Sequence, residues 1–156
     1  SLARPTVSVR LPLDIAQVAV DRRGNVLAVH SRFGRVVVYA RATLAPLARF
    51  DFPVDGVPIA AGMTPSGDSA VLLFENRREV RVVDLRPATP VLGPAIAITG
   101  LDAASGERPW DVVVTATGRP LLSVGTGRFA RHRLVELDLA TGAATPRTDT
   151  DADAFN

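Results

Sequence analysis

One pattern of short apolar segments and polar turns occurs three times in this chain, and this repeat restricts the fold more than any other feature. In each copy an apolar segment leads into a glycine-containing turn, and two further apolar segments follow. The turn glycines Gly24, Gly67 and Gly118 are 43 and 51 residues apart. The longer interval contains an insertion at 101–109 that is rich in turn-forming residues, which predicts a surface loop there.

The apolar segments have the length and composition of β-strands. They are short, rich in valine, and bounded by Gly, Pro, Asp and Asn. A fourth, less hydrophobic segment follows each triplet, beginning at Pro46, Gly93 and Ala143. Four antiparallel strands in a repeat of about 40 to 50 residues are typical of a β-propeller blade. An all-β sandwich would explain the short strands but not their recurrence.

The repeat therefore predicts an all-β chain, a portion of a β-propeller with three four-stranded antiparallel blades. We place the blades at 15–56, 58–100 and 110–150 of a single partial domain, with a strand of a preceding blade at 6–12. Propellers typically close with four to eight blades, so three leave two outer faces. We expect both faces to be apolar and to need a cover, from a longer chain, a partner protein or self-association.

Composition excludes several classes of function. The 156 residues are 47% apolar, which is enough for one core. The absence of cysteine excludes disulfides, zinc–thiolate sites and cysteine nucleophiles. All 18 basic residues are arginine and 16 carboxylates nearly balance them, which argues against nucleic-acid binding. No apolar run is long enough to span a membrane.

Strand order in a blade places the loops after the second strands and the approaches to the first strands on one rim. The first set carries the arginines Arg32, Arg35, Arg77, Arg78, Arg128 and Arg131, and the second set carries Asp14, Asp55 and Asp102. Guanidinium groups suit carboxylate and phosphate, so the arginines predict a rim that binds an anionic partner. The alternative is that each arginine pairs with a nearby aspartate and orders the loops.

The three aspartates suggest a second kind of site. In a propeller the first strands border the central channel, where Asp14, Asp55 and Asp102 would hold a divalent cation through oxygen ligands. Capping of loops by aspartate side chains is the alternative. Apart from this cation we predict no cofactor. A Ser–His–Asp arrangement drawn from Ser31 or Ser123 has no supporting nucleophile motif, so we assign no catalytic residue.

Three segments resemble YVTN-type bacterial β-propeller repeats. Thr64–Leu85 is similar to that family's turn, strand, polar loop and closing Asp–Leu strand. Arg133–Gly142 is similar to the closing strand and turn, and Val18–Val29 to the opening one. The first copy departs from the pattern with Ala40 in place of the closing aspartate. The resemblance implies a propeller fold and favours a periplasmic or extracellular location.

The sequence as a whole predicts a non-catalytic scaffold for protein–protein interaction that belongs to a larger chain or complex, because loops on a rigid core suit recognition. Two other functions stay open. One is a fragment of a propeller enzyme, similar to a hydrolase or lactonase, with a metal at the channel mouth. The other is a structural module of a secreted or cell-surface protein.

Overall fold

Each copy of the repeat forms its own four-stranded antiparallel sheet in the computed structural model, which describes residues 15–20, 25–30, 34–40, 42–53, 56–127 and 129–147. The first blade contains β1 (Ile15–Val20), β2 (Asn25–His30), β3 (Arg35–Ala40) and β4 (Pro46–Asp51). The central blade contains β5 (Ala60–Met63), β6 (Ser69–Phe74), β7 (Glu79–Asp84) and β8 (Val91–Ala97). The third blade contains β9 (Arg108–Val114), β10 (Pro120–Gly125), β11 (Arg133–Leu137) and β12 (Ala144–Pro146).

These sheets confirm the predicted fold class. Strand order follows the chain in every blade, as expected where hairpins join successive strands. The described residues include no helix, and so none that is long and apolar enough to cross a membrane. The strand predicted at 6–12 lies outside the described residues.

Glycines serve two different purposes in this fold. Gly67 and Gly118 have φ values of 73° and 81° in the turns between first and second strands, a conformation that side chains disfavour. Gly62 instead permits close approach, since a Cβ there would lie 3.2 Å from the carbonyl oxygen of Val112. The innermost strands of the central and third blades therefore pack with their backbones close together.

The central blade is buried on both faces. Leu72 and Phe74 of β6 pack against the first blade, and Val71 and Leu73 pack against the third. All four side chains are buried. Successive residues of a strand point to opposite faces, so a continuous apolar run is what a strand between two sheets requires.

The outer face of the third blade is different, and the prediction of an apolar face is wrong there. Cross-strand pairing aligns Asp111 with Ser123, and Leu121 with Glu136, while the alternate residues point into the core. Polar and apolar side chains therefore share this face. On the first blade, by contrast, the residues that alternate with the core set are Val26, Ala28 and Val37, and all three are buried within the chain.

The inserted segment forms a loop that ends earlier than predicted. Turns occupy 103–106, and β9 already begins at Arg108, which pairs with Gly125. A register shift between Ser123 and Val124 accommodates these additional paired residues. The insertion thus extends both the loop and the first strand of the third blade.

Candidate binding rim

Three described loops lie at the same edge of the blades, and we call this edge the upper rim. They are 75–78 between β6 and β7, 98–107 between β8 and β9, and 126–132 between β10 and β11. Each connects strands that end or begin at this edge, because direction alternates along an antiparallel sheet. Four of the predicted positions, Arg77, Arg78, Arg131 and Asp102, fall on these loops.

Glu107 connects the loops of the central and third blades. Its carboxylate accepts hydrogen bonds from Nε and Nη2 of Arg133, both at 2.8 Å, and from the Asp102 N–H at 2.8 Å. Its backbone carbonyl accepts a bond from Nε of Arg78 at 3.0 Å. The bonds from Arg133 and then from Asp102 hold the pKa of Glu107 down at about 2. The carboxylate is therefore ionised at neutral pH and fixes the rim.

Two of the predicted arginines are structural parts of this rim. Arg78 links the β6–β7 loop to Glu107, as just described. The guanidinium of Arg77 lies against Gly56, where an added Cβ would be 2.5 Å from Cζ. A larger residue at 56 would require that side chain to move. Both contacts fit the alternative, in which the arginines make local contacts that order the loops, better than a rim of free cations.

The remaining arginines fall into three situations. Arg35 begins β3 rather than lying in a loop, and its Nε donates to Asp51 at 2.9 Å. Arg131 is exposed in the β10–β11 loop. Arg32 and Arg128 lie outside the described residues.

Asp102 caps a turn. Its Oδ1 accepts the N–H of Ala104 at 3.1 Å and the N–H of Ser105 at 3.2 Å. This is the capping role that aspartate commonly has in turns. Asp14 and Asp55 lie outside the described residues, so the predicted cation site stays a prediction. Within the described part of the chain no group of three or more His, Cys, Asp or Glu side chains is placed to hold a metal.

The β10–β11 loop is a tight turn with an exposed aromatic residue. The Gly127 carbonyl accepts the N–H of Ala130 at 3.1 Å and a bond from His132 Nε2 at 2.9 Å. Phe129 lies within this turn and is 97% exposed. Sequence analysis did not select it, although an aromatic residue between arginines in a loop is a usable signal.

A polar cluster anchors the base of the same loop. Ser123 Oγ lies 2.7 Å from His132 Nδ1. The ring of Trp110 stacks on the His132 ring, with centroids 6.3 Å apart and planes 15° apart, and its Nε1 donates to the Gly125 carbonyl at 3.1 Å. The structure therefore brings together a serine and a histidine that sequence analysis had no motif to connect.

Solved structures share this fold. The β-propeller domain of a Myceliophteria thermophila protein matches with a TM-score of 0.61 and 16% identity, over 83% of this chain and 42% of its own. The WD40 domain of Toxoplasma gondii coronin matches with a TM-score of 0.57 and 15% identity, over 85% and 32%. A candidate 6-phosphogluconolactonase from Bacteroides uniformis matches with a TM-score of 0.57 and 14% identity, over 83% and 38%.

At 14–16% sequence identity, these similarities show the fold alone. The chain spans between 32% and 42% of the length of these three structures. No family model and no curated sequence matches it, so membership of the YVTN-type family stays a prediction. The described sheets and the solved structures together establish that the chain has the β-propeller fold, with three blades described.

Proposed function

We propose that the chain is a binding scaffold that holds an acidic protein segment on its upper rim. The observation that supports this is the exposure of Phe129 at 97%, far above Val113 at 56% and Val91 at 55%. Leaving a phenylalanine in water forgoes roughly 1.5–3 kcal/mol of burial free energy. A partner that covers Phe129 would recover it, and aromatic residues are enriched in protein interfaces for this reason.

Hydrogen bonds among described residues on both sides of Phe129 close the turn that carries it. Both the Ala130 N–H and the His132 ring bond to the Gly127 carbonyl, so the turn is closed from two directions. Arg133, the first residue of β11, is bound by Glu107. A preorganised loop loses little conformational entropy when a partner binds, which favours affinity.

The charge of the loop indicates the chemistry of the partner. Arg131 is exposed two residues after Phe129, and no ion pair or side-chain hydrogen bond of its guanidinium is recorded among the described residues. The nearby carboxylate of Glu107 is already bound by Arg133. A segment with Asp or Glu flanking an apolar side chain would contact Arg131 and Phe129 together.

We further propose that additional blades complete a ring around this rim, supplied by a longer chain or by a partner protein. This chain covers 42% of the length of the M. thermophila propeller domain and less of the other two. A native mass measurement on the chain, alone and with candidate partners, tests this part. A complex of three-blade chains only with themselves would contradict it.

A peptide titration tests the rim. The probe is a fluorescent peptide of alternating Glu and Leu, with a Lys–Leu peptide of the same length as the reference, followed by anisotropy. Phe129→Ala should weaken binding of the acidic peptide by about tenfold or more, since interface anchors contribute roughly 2 kcal/mol. Arg131→Gln should weaken binding and reduce its salt dependence.

The matched control is Val91→Ala, which removes another exposed apolar side chain at a site on β8. It should bind the acidic peptide as the wild type does. Equal binding of the two peptides, or undiminished affinity of Phe129→Ala, would contradict the proposal.

A further inference from the structure

We infer that Ser123 is a nucleophilic serine, activated by His132, that accepts acyl groups from activated carboxylic esters. This inference does not depend on the scaffold function. It starts from the 2.7 Å contact between Ser123 Oγ and His132 Nδ1. A hydroxyl within hydrogen-bond distance of a base whose ring is held by a third group is the arrangement that activates serine nucleophiles.

The partner of the other ring nitrogen determines the direction of this hydrogen bond. A carbonyl oxygen only accepts, so His132 Nε2 must donate to the Gly127 carbonyl at 2.9 Å. In the neutral ring the Nδ1 lone pair is then free, and the Ser123 hydroxyl donates to it. The hydrogen-bond partners of the two ring nitrogens thus assign the proton to Nε2, and Nδ1 can act as a general base toward Oγ.

Other groups hold the imidazole in this position. Trp110 stacks on the ring, and the Trp110 Nε1–H is itself bound by the Gly125 carbonyl. A Cβ on Gly125 would lie 2.3 Å from His132 Cδ2, so the site needs a glycine at this position. Trp110, Gly125 and the Gly127 carbonyl are positioning groups. In this chain, with no further blade on the outer face of the third blade, His132 is exposed and Ser123 is half-buried, so a small ester can reach them from solvent.

The proposed step is a balanced acyl transfer. Ser123 Oγ attacks the ester carbonyl carbon, and its proton passes to His132 Nδ1. The new Oγ–C bond forms as the ester C–O bond breaks and the leaving group departs as its anion. The imidazolium, stabilised by the Gly127 carbonyl, then releases its proton to solvent. No oxidant, reductant or further reactant is needed.

p-Nitrophenyl acetate is the probe, with release of p-nitrophenolate and peptide mapping of the acetylated residue as readouts. The chain contains neither lysine nor cysteine, so these nucleophiles do not compete, and peptide mapping separates Ser123 from the single tyrosine and the two histidines. Ser105, which bonds to the Asp102 carbonyl and not to a histidine, is the internal reference. Ser123 should be acetylated at least about tenfold faster than Ser105, and His132→Gln should slow this by about 100-fold.

Two further variants separate activation from a structural role. Ser123→Ala should abolish the acetylated peptide at position 123 and leave labelling of Ser105 unchanged. Imidazole added to His132→Gly should restore acetylation of Ser123 selectively over Ser105, because acetyl transfer from free acetylimidazole would label both hydroxyls. Equal labelling of Ser123 and Ser105 would overturn the inference. So would wild-type labelling in His132→Gln, or a correctly melting His132→Gly protein that imidazole does not rescue.

Discussion

The central and third blades have the same backbone arrangement but different outward chemistry. The face that the central blade turns toward the third carries Ala60, Leu73 and Val82, paired across strands as Ala60 with Leu73 and Val82 with Val71. The third blade has the same pairing on its outer face, with Asp111, Ser123 and Glu136 at the matching positions. One face forms a dry seam between sheets, whereas the other carries its own polar network.

The polar residues of the third blade are bonded within the blade. Glu136 pairs with Arg119 and, at 3.4 Å, with Arg147, and Ser123 bonds to His132. These exposed and half-exposed pairs contribute little to folding compared with burial of the seam. The comparison shows that one repeat can specify the same sheet with an apolar outward face or with a polar one.

The largest difference should come from truncating matched positions. Leu73→Ala should lower the free energy of unfolding by about 2–5 kcal/mol, because Leu73 is fully buried in the seam and truncation leaves a cavity. Ser123→Ala should cost about 1 kcal/mol, the loss of one hydrogen bond. Urea unfolding of both variants measures this. Similar losses would mean that the two faces are energetically equivalent.

Glu107, which connects the two blades at the rim, should give the next largest effect. Glu107→Gln should lower stability at pH 7 by roughly 1.5–3 kcal/mol, since Arg133 loses a charged partner. The pKa of Glu107 is lowered from 4.5 to about 2, so its contribution is complete above pH 4.5 and is lost as pH falls toward 2. Thermal melts between pH 2 and 7 should show a shallower decline for the variant.

Asp84 is the matched control for this experiment. Its pKa is also lowered to about 2, chiefly by the side chain of Arg86, but this pair lies in the β7–β8 turn with Arg86 largely exposed. Asp84→Asn should therefore destabilise the protein less than Glu107→Gln. A larger loss for Asp84→Asn would contradict the role of the Glu107 carboxylate in holding the 98–107 loop to β11.

A smaller effect on stability is expected where β5 and β9, the first strands of the central and third blades, approach each other. Gly62→Ala should cost about 1 kcal/mol or more, because the new Cβ meets the Val112 carbonyl oxygen at 3.2 Å and backbone yields poorly. The matching position on the third blade is Val113, which is 56% exposed. Val113→Ala should change stability by no more than about 0.5 kcal/mol. Denaturant midpoints compare the two, and equal shifts would remove the distinction between inner seam and outer face.

A combined variant should change association more than it changes stability. Combining Asp111→Ala, Ser123→Leu and Glu136→Val gives the third blade the outward chemistry of the central one. We expect unfolding free energy to stay within about 1 kcal/mol, but the new apolar face should drive self-association. Light scattering across a concentration series measures this. A variant as monodisperse as the wild type would show that the polar residues do not keep this face soluble.

Sequence analysis predicted the fold better than the site. Recurrent turns and strand-length apolar segments predicted three four-stranded sheets, and the described residues confirm them. Among the predicted rim arginines, Arg78 donates a hydrogen bond from one rim loop to the next, and Arg131 is exposed. Phe129 and Glu107 were not selected, because exposure and loop–loop contacts depend on how segments distant in the chain pack together.

By itself, the sequence determined that the strands form and alternate, since period-two patterns and turn residues act over only a few neighbours. It also determined that the central blade would be buried twice, because β6 is apolar at successive positions. Only the tertiary structure decided that Ser123 lies within hydrogen-bond distance of His132 and that Glu107 accepts hydrogen bonds from Arg133. These contacts join residues from different strands and loops, and their separation depends on register and loop path, which local patterns do not specify.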